Sequence, residues 1–192
     1  MRTHDLYQLP ADLPVPVDDG AARHLAGAAL PPVALPSTAG RAVRLDEPYD
    51  GPTVVYGYPR TGRPDVDPPG GAAAWNAVPG ARGCTPQACA YRDHYAELRA
   101  LRARVFGLST QPTSDQREAA GRLRLPFDLL SDEGLAFSRA LALPTFDHAG
   151  ATLLKRLTLL IERGVIVACF YPVFPPDSDA ANVIAWLRQR RA

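Results

Sequence analysis

Two of the three cysteines lie five residues apart, in the segment Gly83-Cys84-Thr85-Pro86-Gln87-Ala88-Cys89. A Gly- and Pro-rich stretch gives way to a helical pattern here, so both thiols are predicted at the N-terminus of a helix. Unpaired N–H groups and the positive end of the helix dipole favour a thiolate at that place, and the thiolate is the nucleophilic form of cysteine. Cys84 is therefore predicted to be the better-placed nucleophile of a redox site.

The helix that carries the two thiols is predicted from apolar residues that recur at helical spacing, namely Tyr91, Tyr95, Leu98 and Leu101. Thr85 is the predicted N-cap. Pro86 fits a first turn because its missing N–H would have had no partner within the helix.

The spacing of the cysteines also predicts motion. In a complete helix the Cα atoms of Cys84 and Cys89 would lie roughly 8 to 9 Å apart, whereas a disulfide requires less than about 7 Å. A bond between them therefore requires the first helical turn to unwind. We expect a site that alternates between a folded reduced form and a locally unfolded oxidised form.

Two other interpretations of the cysteine pair stay open from the residues alone. The cysteines can be small buried residues without chemistry, or they can bind a metal ion together with His94. A structural zinc site usually needs four ligands at recognisable spacings, and no second pair such as C-x-x-C is present in the sequence. Cys169 lies in an apolar run and is predicted to be a small buried hydrophobic residue.

Composition indicates a globular protein without an electrostatic partner. The chain has 192 residues, 46% of them hydrophobic, with 21 Lys and Arg against 20 Asp and Glu. A net charge of +1 gives no reason to expect binding to nucleic acid or to an anionic membrane. No apolar run is long enough for a membrane span and no signal peptide is recognisable, so we expect a cytoplasmic protein with catalytic or incidental thiols and no cofactor.

The first half of the chain is predicted to form an arm, a hairpin and one buried strand. Residues 1–30 are rich in proline and are expected to form an extended arm, with the domain itself spanning 31–192. A hairpin is predicted within 31–45 and a buried strand at 53–58. The long loop at 60–83, which contains Trp75, is expected to form a pocket wall beside Cys84.

The second half of the chain alternates strands and helices, which predicts parallel strands. A hairpin then adds antiparallel strands, and a helix closes the chain. We therefore expect an α/β fold with a central mixed β-sheet flanked by helices. The predicted elements are strands at 104–109 and 127–130, helices at 114–124 and 135–143, hairpin strands at 153–162 and 165–170, and a helix at 177–190.

Five segments together resemble the thioredoxin-fold peroxiredoxins, and among them the Q-type (bacterioferritin-comigratory-protein-like) subfamily. The resemblance covers roughly residues 30–187 and implies a thioredoxin-like fold. The segments are Val54-Val55-Tyr56-Gly57-Tyr58-Pro59, Gly83-Cys84-Thr85 through Cys89-Ala90-Tyr91-Arg92-Asp93, Phe106-Gly107-Leu108-Ser109-Thr110, Leu125-Pro126-Phe127 through Leu130-Ser131-Asp132, and Arg156-Leu157-Thr158-Leu159-Leu160-Ile161.

The resemblance implies a catalytic cycle and a role for each residue in it. Cys84 would be the peroxidatic cysteine, which becomes a sulfenic acid on reaction with hydrogen peroxide or an alkyl hydroperoxide. Cys89 would be the resolving cysteine, and thioredoxin or a similar dithiol would reduce the resulting disulfide. Arg156 would supply positive charge beside the sulfur, and Pro59 would shield the pocket. The subfamily also implies a monomer.

One part of the family pattern is displaced in this sequence. The pattern P-x-x-x-T-x-x-C places Pro and Thr seven and three residues before the cysteine, where this chain has Ala77 and Ala81. The nearest preserved pieces are Pro59 and Thr61, separated from the cysteine by an insertion. Thr61 can supply the hydroxyl if the loop folds back, and Thr85 or a backbone group is the alternative.

Two other functions remain as alternatives to a peroxidase. A dithiol–disulfide exchange protein of the same fold would act on protein disulfides without peroxide. A non-catalytic metal-binding module would hold zinc.

Overall fold

The computed structural model describes residues 6–64 and 66–190. The strands are β1 (Ala34–Pro36), β2 (Ala42–Arg44), β3 (Thr53–Gly57), β4 (Arg104–Ser109), β5 (Leu129–Ser131), β6 (Thr145–His148), β7 (Ala151–Leu154), β8 (Leu157–Glu162) and β9 (Val165–Phe170). The helices are α1 (Ala72–Asn76), α2 (Cys84–Asp93), α3 (Tyr95–Ala100), α4 (Thr113–Leu123), α5 (Ala136–Ala140) and α6 (Asp179–Gln189). Within the described ranges, every helix is too short or too polar to cross a membrane.

Five strands form the central sheet in the order β5-β4-β3-β8-β9. Strands β3, β4 and β5 are parallel, whereas β8 runs antiparallel to β3 and β9 antiparallel to β8. The predicted mixed sheet is therefore confirmed. Two small antiparallel hairpins, β1-β2 and β6-β7, lie outside it, and the first of them is the hairpin predicted within residues 31–45.

Alternating side chains of the central strands separate the core into two layers, as the two-residue period of a strand requires. Val54 and Tyr56 of β3 pack with Tyr91 of α2 and with the apolar face of α6. Val55, between them, packs with Phe137 of α5 on the opposite face. Helices therefore lie on both faces of the sheet, and α2 packs on the same face as α6.

The prediction of a single strand at 153–162 is wrong in one respect, because this segment belongs to two strands. It breaks at Lys155 and Arg156, and its first part becomes β7, which pairs with the unpredicted strand β6. The charged pair Lys155-Arg156 interrupts the apolar run at this point, but such a pair is also compatible with one continuous strand. The break matters because it releases Arg156 from the sheet ladder.

The cysteine-bearing segment and the preceding loop also differ from prediction. The single predicted helix is two helices, α2 and α3, separated at His94. Thr85 is not the N-cap, because α2 begins at Cys84 and its N-cap is Gly83. The loop at 60–83 is not devoid of secondary structure, since its buried Trp75 lies in the short helix α1.

The segment predicted as an extended arm, 1–30, joins the core at its end. Leu25 and Leu30 are buried, and the Leu30 N–H donates to the carbonyl of Gly164. Residues 21–24 form a turn. The first five residues of the predicted arm lie outside the described residues, and the division of the chain at residue 30 stays a prediction.

Candidate active site

Cys84 is the first residue of α2, and its side chain is 5% exposed. Gly83 turns the chain into the helix with a φ of +105°, a conformation that L side chains rarely adopt. A Cβ at Gly83 would lie 2.6 Å from Pro176 Cγ and 2.8 Å from Leu9 Cδ2. The sequence therefore needs glycine here, and the tight packing fixes the position of the thiol that follows.

Arg156 places its guanidinium against this thiol. Its Nη2 lies 3.2 Å from Cys84 Sγ and also 3.2 Å from the carbonyl oxygens of Gly80, Ala81 and Arg82. The Arg156 side chain is 3% exposed, so water screens its charge little. The carbonyl cradle orients the guanidinium, and the cation is close enough to stabilise negative charge on the sulfur.

The thiol has one partner in addition to Arg156. Cys84 Sγ lies 3.6 Å from the carbonyl oxygen of Ala81, to which the S–H donates. Loss of the thiol proton removes this hydrogen bond and leaves the sulfur as an acceptor for Arg156. Ala81 stands three residues before the cysteine and is fully buried, so a methyl group occupies the position of the family threonine.

A cavity of about 470 Å³ opens beside Cys84. As predicted, the segment at 60–83 supplies most of its wall, and Asp115 and Glu118 of α4 complete it. Its lining residues are Leu6, Arg60, Thr61, Gly62, Arg63, Pro64, Val66, Asp67, Pro68, Pro69, Trp75, Ala81, Arg82, Gly83, Cys84, Thr85, Asp115 and Glu118.

The insertion folds back far enough to bring Thr61 to the same cavity as Cys84. The Thr61 N–H and hydroxyl both donate to Gln111 Oε1, at 2.8 and 3.0 Å. Its hydroxyl hydrogen is therefore engaged, and the oxygen lone pairs remain as acceptors. Pro59 is buried directly before the lining residues Arg60 and Thr61 but does not itself line the cavity.

Cys89 lies in the second turn of α2 and is half-buried. Burial raises the pKa of its thiol, while the positive charges of Arg92 and Arg122 oppose that effect. All three cysteines are free thiols, and the first turn of α2 is closed by a 3.0 Å hydrogen bond from the Gln87 N–H to the Gly83 carbonyl. The structure thus shows the folded, reduced arrangement.

The remaining candidate ligands lie apart from this site. Cys169 of β9 packs against the core, and burial raises the pKa of its thiol to about 12, which agrees with its predicted role as a small hydrophobic residue. His94 pairs with Glu97. In the described part of the chain, no group of three His, Cys, Asp or Glu side chains is arranged to hold a metal ion.

A buried polar chain behind Arg156 was not anticipated from the sequence. Gln87 accepts a hydrogen bond from Arg156 Nη1 and donates one of 2.8 Å to Asp179. Gln87 lies within the cysteine motif, yet its residue type gave no sign of this role. Asp179 is 92 residues away along the chain, and only the docking of α6 against α2 brings the two together.

Comparison with known proteins decides the family. The model of the Redoxin family matches residues 25–184, which is most of the chain. The chain belongs to the Redoxin family. The thioredoxin-like fold predicted for it is thereby confirmed.

Among redoxins, this chain is similar to Q-type peroxiredoxins. It is 31% identical to the chloroplastic peroxiredoxin Q of Sedum lineare over 162 residues, which are 84% of this chain and 77% of that protein. The corresponding protein of Oryza sativa subsp. japonica is 30% identical, and the chain spans 66% of its length. This redoxin is therefore a peroxiredoxin of the Q type, as its motifs imply. Peroxiredoxins are peroxidase oxidoreductases that use a cysteine thiol.

Solved structures of redoxins agree with this assignment. Peroxidoxin BcpB of Mycobacterium tuberculosis is 28% identical, with a TM-score of 0.68 over 87% of this chain and 98% of that chain. Peroxiredoxin Q of Xanthomonas campestris has a TM-score of 0.65 at 21% identity, over 85% of this chain and 96% of that chain. At that identity it supports the fold alone.

Proposed function

We propose that this chain is a thiol-dependent peroxidase that reduces hydrogen peroxide and organic hydroperoxides, with Cys84 as the peroxidatic and Cys89 as the resolving cysteine. One observation carries the assignment: the thiol of Cys84, at a helix N-terminus beside an open cavity, lies 3.2 Å from the buried guanidinium of Arg156. Such an arrangement places a cation where it can stabilise negative charge on the reacting sulfur and on a leaving oxygen.

The first step oxidises Cys84. Its thiolate attacks one oxygen of the peroxide, an S–O bond forms and the O–O bond breaks. The bond's electron pair goes to the other oxygen, which takes a proton and leaves as water or an alcohol. Arg156 and the free N–H groups of the first turn stabilise the charge that develops. The Thr61 oxygen accepts a hydrogen bond from the bound peroxide, whereas Pro59 lies outside the cavity wall and is assigned no contact with the substrate.

The second step joins the two cysteines. The Cys89 thiolate attacks the sulfenic sulfur of Cys84, a disulfide forms, and the hydroxyl group leaves as water after taking a proton. The first turn of α2 unwinds for this step. A dithiol, for which thioredoxin is the proposed reductant, then reduces the disulfide by thiol–disulfide exchange and is itself oxidised.

The setting of this activity is also part of the proposal. Nearly balanced charge supports a protein that acts without nucleic acid or membranes, in the cytoplasm, as an antioxidant. The Q-type resemblance supports a monomer whose catalytic domain spans residues 31–192.

A stopped-flow experiment tests the function. Reduced protein is mixed with hydrogen peroxide while tryptophan fluorescence and free thiols are followed, because Trp75 lines the same cavity as Cys84. Wild type and the control Cys169→Ser are expected to lose two thiols per peroxide, and Cys84→Ser none. Turnover by Cys84→Ser would overturn the assignment. Reduction of a protein disulfide by a wild type that is inert to peroxide would favour the dithiol exchange function instead.

A further inference from the structure

The network behind Arg156 ends on a buried carboxylate. Asp179 is the first residue of α6 and is 1% exposed. Its Oδ2 accepts hydrogen bonds from Gln87 Nε2 at 2.8 Å, Tyr91 Oη at 2.9 Å and Thr158 Oγ1 at 2.7 Å. These partners are themselves fully buried. An acid placed so deeply in a core requires an explanation.

Asp179 accepts in every hydrogen bond that its carboxyl group makes. Three donors face Oδ2, and no hydrogen-bond partner faces Oδ1. Burial raises the pKa of this carboxyl, although the three donors and the charge of Arg156 oppose that shift. Towards the Gln87 amide, which donates, Oδ2 therefore acts as an acceptor.

Helix stabilisation alone does not account for Asp179. An acidic residue in the first turn of a helix does interact favourably with the helix dipole. However, no side-chain cap bond is made at the start of α6. The hydrogen bonds that the Asp179 carboxyl group accepts all come from side chains of α2 and β8, and one of these, Gln87, also contacts Arg156.

The consequence lies in the orientation of the Gln87 side chain. An amide can present either its oxygen or its NH₂ group to a neighbour. Asp179 Oδ2 accepts from the NH₂ group of Gln87, and the Gln87 oxygen then faces Arg156 Nη1, from which it accepts. The opposite orientation would place donors against the guanidinium and push it from its place beside Cys84.

We propose that Asp179 is a positioning residue of the peroxidatic site, which fixes the Gln87 amide so that Gln87 holds Arg156 against Cys84. This inference rests on the proposed function for its catalytic meaning. It adds a residue from the far end of the chain that touches neither the sulfur nor the cavity.

The chain of contacts from Asp179 through Gln87 to Arg156, called the relay below, can be tested by a double-mutant cycle that exchanges donor and acceptor between residues 87 and 179. The variant Gln87→Glu places a second carboxylate against that of Asp179. Adding Asp179→Asn to this variant restores a donor–acceptor pair, because Asn can donate. The hydroxyls of Tyr91 and Thr158 can accept as well as donate, so they tolerate the exchange. Each variant is made with Cys89→Ser and Cys169→Ser, so that Cys84 is its only thiol.

We predict that the effect of Asp179→Asn on the rate of Cys84 oxidation reverses its sign when residue 87 is changed from Gln to Glu. Asp179→Asn is expected to slow oxidation of Cys84 by about tenfold when residue 87 is Gln, because the neutral amide oxygen of Asn is a weaker acceptor than a carboxylate and Asn can also turn its NH₂ group towards Gln87. The same change is expected to speed oxidation when residue 87 is Glu. Rates that fall in both backgrounds would overturn the proposal, because a merely structural Asp179 would have no dependence on residue 87.

Asp132→Asn is the matched control. Asp132 is also buried, and it accepts hydrogen bonds from the N–H groups of Phe137 and Ser138 at the start of α5, away from the cysteines. Its removal is expected to lower the melting temperature while leaving the Cys84 rate unchanged. A matching rate loss in Asp132→Asn would contradict a specific role of Asp179.

Two rates are measured for each variant, oxidation of Cys84 by peroxide and its alkylation by iodoacetamide, so that a failure of the relay can be distinguished from a failure of the peroxidase proposal. Alkylation of Cys84 by iodoacetamide reports on thiolate reactivity without peroxide. If wild type alkylates readily but ignores peroxide, the peroxidase proposal fails. The sign reversal in alkylation would still support the relay in that case, and its absence would overturn it.

Discussion

At the scale of single residues, the site depends on a charge that the fold keeps out of water. Arg156 gives hydrogen bonds to three backbone carbonyls, to Gln87 and to Cys84, so its guanidinium is held before any substrate arrives. Preorganised donors of this kind need no rearrangement as charge develops during reaction. The cost of burying the cation is offset by these contacts.

Arg156→Ala is expected to slow oxidation of Cys84 by roughly 10²-fold, the effect of removing one preorganised donor from a developing oxyanion. Stopped-flow rates of Cys84 oxidation measure the effect. The control is Arg63→Ala, in the same cavity but exposed and paired with Asp115. An Arg156→Ala rate equal to that of this control would reduce Arg156 to a structural partner.

Cys89→Ser is expected to react once with peroxide and then stop. With no resolving thiol, the sulfenic acid of Cys84 persists and can be trapped by dimedone. Peptide mass spectrometry locates the adduct, and Cys169→Ser serves as the control that still forms a disulfide. An adduct on Cys89 of the wild-type protein, rather than on Cys84 of the variant, would reverse the two roles.

At the scale of elements, the start of α2 sets the position of the thiol. Gly83 allows the left-handed turn, and the packing of Pro176 and Leu9 on it leaves no room for a side chain. The carbonyl oxygens just before it are turned towards Arg156. The same short segment therefore starts the helix, places Cys84 and orients its cation.

Gly83→Ala is expected to destabilise the fold by more than about 1 kcal/mol, from the positive φ and the close contacts of the added methyl group. Thermal unfolding of the reduced protein measures the loss. Gly121→Ala in α4 is the control, because a Cβ there meets open space. That change should stabilise the protein by about 0.5 to 1 kcal/mol through helix propensity. Equal stabilities for the two variants would contradict the packing argument.

The sequence allowed the prediction of some elements better than others, for physical reasons. Strands β3 and β4 were predictable because isolated apolar runs with turn residues at each end have few alternatives. Strands β6 and β7 were not, because β6 has no clear apolar run and the charged pair Lys155-Arg156 is compatible with one continuous strand. The cysteine motif pointed to Cys84 and Cys89 through local helix geometry, whereas Asp179 has no local signal and becomes visible only when α6 docks.

At the scale of the whole molecule, a five-stranded sheet with buried central strands supports the helix that opens in the proposed mechanism. All five residues of β3 are buried, as are five of the six residues of β8, and both strands pair on each side. Helix α2 instead begins at the cavity, with its first turn beside the reacting sulfur. The fold thus separates a rigid frame from a segment that can unfold locally.

Amide hydrogen exchange on the reduced and the peroxide-oxidised protein tests this account most directly. If Cys84 and Cys89 form the disulfide, exchange should become faster over residues 84–93 on oxidation, because the first turn of α2 must unwind. Exchange in β3 and β8 should stay unchanged. Equal protection of residues 84–93 in both forms would contradict the account, since a closed helix cannot contain that disulfide.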